Sequence, residues 1–119
     1  MVLDENFDAG TLYLLRGRVT ACALSAGLSA DRAGDVTLAV SELAANTVRH
    51  GPGHGRVRMS ADDGALRCLV SDNGTGAGTG NWPVQQGHGL WIVRAVADQV
   101  TISAGPGGSQ VTAAFAILR

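Results

Sequence analysis

The sequence contains no lysine; all nine of its basic residues are arginine. That absence excludes two large classes of phosphoryl-transfer protein. A P-loop needs a lysine on the phosphates, and a eukaryotic-type protein kinase needs one on its third strand. Cysteine is scarce as well. Cys22 and Cys68 lie far apart among apolar neighbours, so buried, inert thiols are expected rather than a disulfide or a metal-ligand pair. Three histidines without clustered Cys/His spacing give no structural zinc site. No apolar run approaches the ~20 residues that cross a bilayer. The acidic, polar start "MVLDENFDAG" carries no secretory signal, so a cytoplasmic protein without membrane contact is expected. A net charge of −1 offers no electrostatic footprint for direct nucleic-acid binding.

What remains is enough for one domain over residues 1–119, with 45% hydrophobic and 16% charged residues to build a single core and its surface. "DENFD" (4–8) reads as a short edge strand. "TLYLLRGRVTACALSAGL" (11–28) places Leu12, Leu15, Val19, Cys22, Ala23 and Ala26 at amphipathic-helix spacing, closed by Gly27. Ser29 then caps a second helix running to His50, with Asp31 near its positive end. "RVRMSA" and "ALRCLVSD" alternate with period two around "DDG", a hairpin signal. The stretch "NGTGAGTGNWPVQQGHG" has no period and reads as loop, "LWIVRAVADQ" as a third helix, and "VTISAGPGGSQVTAAFAIL" as a strand pair turning at Gly105 to Gly108. The order predicts an α+β fold: a mixed, mostly antiparallel sheet with helices on one face.

Three stretches carry chemistry. In "SELAANTVRHG" (41–51), each helical residue advances about 100°. Val36, Val40, Leu43, Ala44, Thr47 and Val48 share an arc that must face the sheet, while Asp35, Glu42, Asn46, Arg49 and His50 share the neighbouring arc. Taken alone, that second arc reads as a solvated polar face. "VSDNGTG" places Asp72 at a strand end before Gly74 and Gly76. A carboxylate there can accept a hydrogen bond from a base amine, and glycines admit close backbone approach, although an Asp-Asn-Gly turn reads the same way. In "GHGLWIVRAVAD", Gly87-His88-Gly89 leads into a helix start at Leu90, whose free amides and dipole attract phosphate oxygens.

In this order the three motifs resemble the N, G1 and G2 boxes of the GHKL ATPase superfamily, which includes gyrase-type ATPases, heat-shock chaperones and histidine kinases. The wording "LAVSELAANTVRHG…VSDNGTG…GHGLWIVRAVAD" looks most like bacterial anti-sigma factor serine/threonine kinases, over about residues 11–118. "GGSQVTAAF" is similar to the final-strand region, although Gly108-Ser109 stands where the family often has Gly-Thr. The resemblance implies a Bergerat-type two-layer sandwich that binds ATP with Mg²⁺. It assigns Asn46 to the magnesium ion, Glu42 to the γ-phosphate as a base for an attacking hydroxyl, and Asp72 to the adenine amine. It also carries Gly74, Gly76, Gly87, His88, Gly89, Leu90 and Thr112 over to nucleotide contact. Mg²⁺ takes oxygen ligands, often only one or two from protein, so a single asparagine suits it. Without lysine, that ion, the Gly87–Leu90 amides and an arginine would neutralise the phosphates.

The function so implied is an anti-sigma factor that phosphorylates a serine of a small antagonist protein and sequesters a sigma factor. A non-catalytic ATP-binding module and an ATPase using water are the competing readings. Retention of Glu42 argues against the former. Family members dimerise through the N-terminal strand and helix, and the apolar residues of "TLYLLRGRV" serve a homodimer or the core alike. His50 is expected to close its helix, Trp91 to pack in the core, and the loop Ala77 to His88, bearing Trp82, to order around nucleotide.

Overall fold

A computed structural model of the chain describes residues 2–72, 90–105 and 108–117. Its elements are β1 (Leu3–Asp8), α1 (Leu12–Ser25), α2 (Ala30–His50), β2 (His54–Asp62), β3 (Ala65–Asp72), α3 (Leu90–Val96), β4 (Gln99–Gly105) and β5 (Gly108–Ala116). That is the order expected from the sequence. The expected mixed sheet is simpler than that: its five strands run β1-β2-β3-β5-β4, and every pairing is antiparallel. The result is the two-layer α+β sandwich of the Bergerat type.

Local chemistry explains the element ends. After α1, Gly27 takes φ +107. Its amide bonds Leu24 O at 3.0 Å and that of Leu28 bonds Ala23 O at 3.2 Å. This is a Schellman motif, completed by burial of Leu28 against Ala23 in the core. Ser29 accepts the Arg32 amide at 3.2 Å and starts α2. The β2–β3 hairpin turns on Asp63 and Gly64 with φ of +49 and +76, the positive pair that a two-residue type I′ turn requires.

The strands alternate between two faces. Phe7, Val57, Met59, Leu66, Cys68, Val70, Val111, Ala113 and Phe115 are buried toward the helices, where Leu15, Val19, Val36, Val40, Leu43 and Ala44 meet them. Each fully buried Val, Leu, Met or Phe among them contributes about 1.5–3 kcal/mol. Arg56, Arg58, Arg67, Gln110 and Thr112 hold the alternate positions, on the uncovered face. Gly55 lies opposite Phe7, and a Cβ there would come within 2.7 Å of both the Phe7 ring and Ser71 O. The edge strand can lay its aromatic ring inward only across a glycine.

Three further expectations change. Trp91 is 70% exposed rather than packed. α3 is seven residues long and buries Leu90 and Val93, a single i, i+3 stripe that Trp91 lies beside. The same helix stops at Val96, because the Asp98 amide and carboxylate bond Ala114 O and the Ala116 amide, drawing the chain into the sheet. Of the thiols, Cys68 is buried but Cys22 only half-buried.

Candidate functional site

Topology brings the polar arc of α2 to the end of β3. α2 ends at His50 and the chain enters β2 at His54, whose first residues pair with the last of β3, Arg56 opposite Ser71. The end of β3 pairs in turn with the start of β5, Asp72 opposite Ser109. β4 begins at the other end, with Gln99 opposite Ala114, so α3 runs back with Leu90 nearest the Asp72 end. The C-terminal half of α2, the end of β3, the start of β5 and the start of α3 therefore share one end of the sandwich.

On α2, Asn46 is 1% exposed and Thr47 is also buried, while Glu42 is half-buried. The Thr47 hydroxyl satisfies itself on Leu43 O at 3.1 Å. Asn46 does not turn back to the helix backbone; its Oδ1 accepts from Arg49 Nη2, three residues along α2, at 3.2 Å. A buried amide oxygen thus faces a cation. Among the described residues Glu42 makes no hydrogen bond or ion pair, so its acceptor oxygens remain open. His50 is the exposed last residue of α2, at the negative end of the helix as expected.

Asp72 continues the series Leu66, Cys68, Val70 on β3 and so points to the helix side. The hydroxyl of Ser109, 6% exposed, donates to Asp72 Oδ2 at 2.6 Å. This charge-assisted bond fixes the carboxylate's orientation. Leu90 opens α3 and is buried. Thr112 is not brought together with these residues: it pairs with Leu69 and Thr101 on the uncovered face, one pleat out of phase with Ser109 and Val111. Gly74, Gly76, Gly87, His88 and Gly89, with the loop that carries Trp82, lie outside the described residues.

Two contributors were not identified from sequence. Ser109 was visible only as a departure from Gly-Thr, because its pairing with Asp72 depends on strand register. Arg49 was placed on the right arc, but its contact with Asn46 needs the third-residue geometry of the helix. The donor set suits a hard cation, which takes oxygen ligands and often only one or two from protein: the amide oxygen of Asn46 is already turned toward positive charge. Among the described residues no group of three His, Cys, Asp or Glu could hold a metal by itself, and no helix is long and apolar enough to cross a membrane.

Comparison with known proteins is consistent with this architecture. The sequence profile of the histidine kinase-like ATPase domain matches residues 6–115. The structure of the RsbU and RsbW domains of Rv1364c from Mycobacterium tuberculosis is similar at TM-score 0.77 and 23% identity, over 97% of this chain and 31% of that one. The histidine kinase domain of the Erythrobacter litoralis EL346 blue-light activated histidine kinase is similar at TM-score 0.62 and 23% identity, over 89% of this chain and 61% of that one. A longer structure of that kinase gives 0.63 and 23%, over 89% and 42%. The chain thus spans at most 61% of these proteins, and likeness at such identity speaks to the fold alone. No curated protein matches the sequence significantly. Because the profile covers nearly the whole chain, the protein belongs to the family of histidine kinase-like ATPase domains.

Proposed function

We propose that the chain binds Mg-ATP at the end of the sandwich where α2, α3, β3 and β5 meet, and transfers the γ-phosphoryl group to a serine hydroxyl of a protein partner. The observation that carries this reading is the buried Asn46, whose Oδ1 faces a guanidinium one turn from Glu42, which has no partner among the described residues, at the same end as an Asp72 bonded by Ser109. Asn46 would ligate Mg²⁺, and the ion when bound supplies charge neutralisation across the phosphate oxygens. Arg49, beside Asn46, would bind a phosphate oxygen, taking the part that lysine plays in other phosphoryl-transfer sites. Asp72, oriented by Ser109, accepts the exocyclic amine of adenine; guanine presents a carbonyl oxygen there and is repelled. Glu42 accepts the proton of the attacking hydroxyl while the oxygen bonds to the γ-phosphorus and the ADP oxygen departs.

The resemblance to anti-sigma factor kinases, together with the fold shared with a structure containing an RsbW domain, supports a regulatory setting. In it the acceptor is a small antagonist protein, the sequestered partner is a sigma factor, and the protein works in the cytoplasm. Incubation with Mg-ATP and candidate antagonists, followed by mass spectrometry, tests this. Phosphate on a serine of the partner supports the proposal. Release of inorganic phosphate alone makes the protein an ATPase, and intact ATP under binding conditions makes it a non-catalytic module. Glu42→Ala should lower transfer by about 10² or more while nucleotide affinity changes only a few-fold. Unchanged turnover would remove Glu42 from the mechanism.

A further inference from the structure

At the opposite end of the sandwich, Arg32 in the first turn of α2 binds three segments at once. Its Nη1 donates to Asp35 Oδ2 at 2.7 Å and to Val96 O at 2.8 Å, its Nη2 donates to Asp98 Oδ2 at 3.0 Å, and its guanidinium lies 5.2 Å from the Phe115 ring centroid. Asp98 Oδ2 also accepts the Ala116 amide at 2.7 Å, so the end of β5 joins the same cluster. Among the described residues no other side-chain hydrogen bond joins α2 to α3.

α3 needs such an anchor. At seven residues it is well below the length at which a helix is stable alone, and it packs through Leu90 and Val93. Val96 O is one of its last carbonyls, left without a partner inside the helix. A guanidinium there satisfies the carbonyl and complements the negative end of the helix dipole. A helix this short moves as a rod of about 10 Å, so what fixes Val96 also fixes where Leu90 lies relative to Asn46.

We propose that Arg32 is a positioning residue for nucleotide binding: by holding the C-terminal end of α3 against α2, it sets the placement of the element that begins at the phosphate side of the cleft. This rests on the nucleotide-binding reading above. Arg32 itself is remote from Asn46 and Asp72 and touches no nucleotide. It should therefore govern the phosphate-dependent part of binding and leave the adenine part, built on β3 and β5 by Asp72 and Ser109, unaffected.

The test compares wild type, Arg32→Gln and Arg32→Lys in binding Mg-ATP and adenosine, with amide hydrogen exchange over residues 90–96 of the ligand-free proteins. The Arg32 side chain borders a cleft of about 620 Å³ beside Leu28, Ser29, Ala95 and Ala97, so water can take the place of the guanidinium and the variants should fold. Arg32→Gln should weaken Mg-ATP by about tenfold or more, the scale of losing a charge-assisted hydrogen bond, and adenosine by less than about twofold. Exchange of residues 90–96 should be faster in the same variant. Arg32→Lys, which can still reach Val96 O but lacks the fork for Asp98, should fall between. Equal weakening of ATP and adenosine would mean general loosening and overturn the proposal, as would unchanged ATP affinity. Unaltered exchange over residues 90–96 in Arg32→Gln would overturn it without reference to any ligand. Wild-type protein that binds neither ATP nor adenosine would instead sink the nucleotide reading itself.

Discussion

Ser109 and Asp72 face each other across adjacent antiparallel strands, where opposed side chains are close enough to bond. The hydroxyl donates its proton to Oδ2, so Ser109→Ala removes a charge-assisted hydrogen bond from the carboxylate. We expect ATP affinity to fall by about tenfold, as for a lost hydrogen bond to a charged group, with weaker preference for ATP over GTP in competition. An unaltered preference would make Asp72 and Ser109 a structural pair. The spacing of Glu42 and Asn46, and Asp72 before its glycines, could be read from sequence because helical period and turn chemistry are local. The Ser109 partnership could not, since it depends on the register of two strands separated by α3 and β4. The same register puts Thr112 on the uncovered face, one pleat out of phase with Ser109. The thiols make a separate test at this scale. Burial, followed by the effect of Cys22, pushes the Cys68 thiol up to about 12, and burial also raises Cys22. At pH 8 native Cys68 should resist thiol reagents until the protein unfolds, and labelling faster than global unfolding would contradict its packing.

The ends of the elements were legible wherever a residue's own backbone chemistry decides them. Gly27 and Ser29 mark the α1–α2 junction, and Asp63-Gly64 the hairpin. Gly27→Ala should destabilise the fold by about 1–2 kcal/mol, because the strain is in the left-handed backbone; a new Cβ would meet Ile117 Cγ2 only at an ordinary 3.6 Å. Urea unfolding measures it, and no loss would mean that the α1 C-terminus relaxes freely. α3 was harder to read. Its apolar run continues through Trp91, and only packing against α2 selects Leu90 and Val93. β1 is an edge strand tied to β2 by Asp4, which accepts from Arg56 Nε at 2.7 Å and Nη2 at 2.5 Å. The hydrogen bond from Arg56, and then its charge, hold the Asp4 carboxyl below its ordinary value of 3.8. A carboxylate with a depressed native pKa stabilises the fold above its unfolded pKa, and the gain is lost as pH falls through the native one. Asp4→Asn should therefore lower the unfolding midpoint at neutral pH and match wild type once the acid is protonated. A difference that persists in acid would assign the effect to something other than this pair.

For the molecule as a whole, the element order and one-sided helical layer followed from composition and period. The wholly antiparallel pairing and the order β1-β2-β3-β5-β4 did not, because strand neighbours are chosen by long-range packing. That topology matters to function, since it brings one end of α2 to the end of β3 and the start of β5 and leaves the other end to Arg32. The central claim is that a nucleotide binds there through a metal held by Asn46. The most direct measurement is calorimetric titration of ATP into wild type and Asn46→Ala, each with Mg²⁺ and with chelator. We predict that Mg²⁺ strengthens wild-type binding by about tenfold or more, and the variant by less than about twofold, the loss of one ion ligand removing the metal-linked part of the affinity. Wild-type protein without ATP binding, or a variant that keeps the full metal gain, would contradict it.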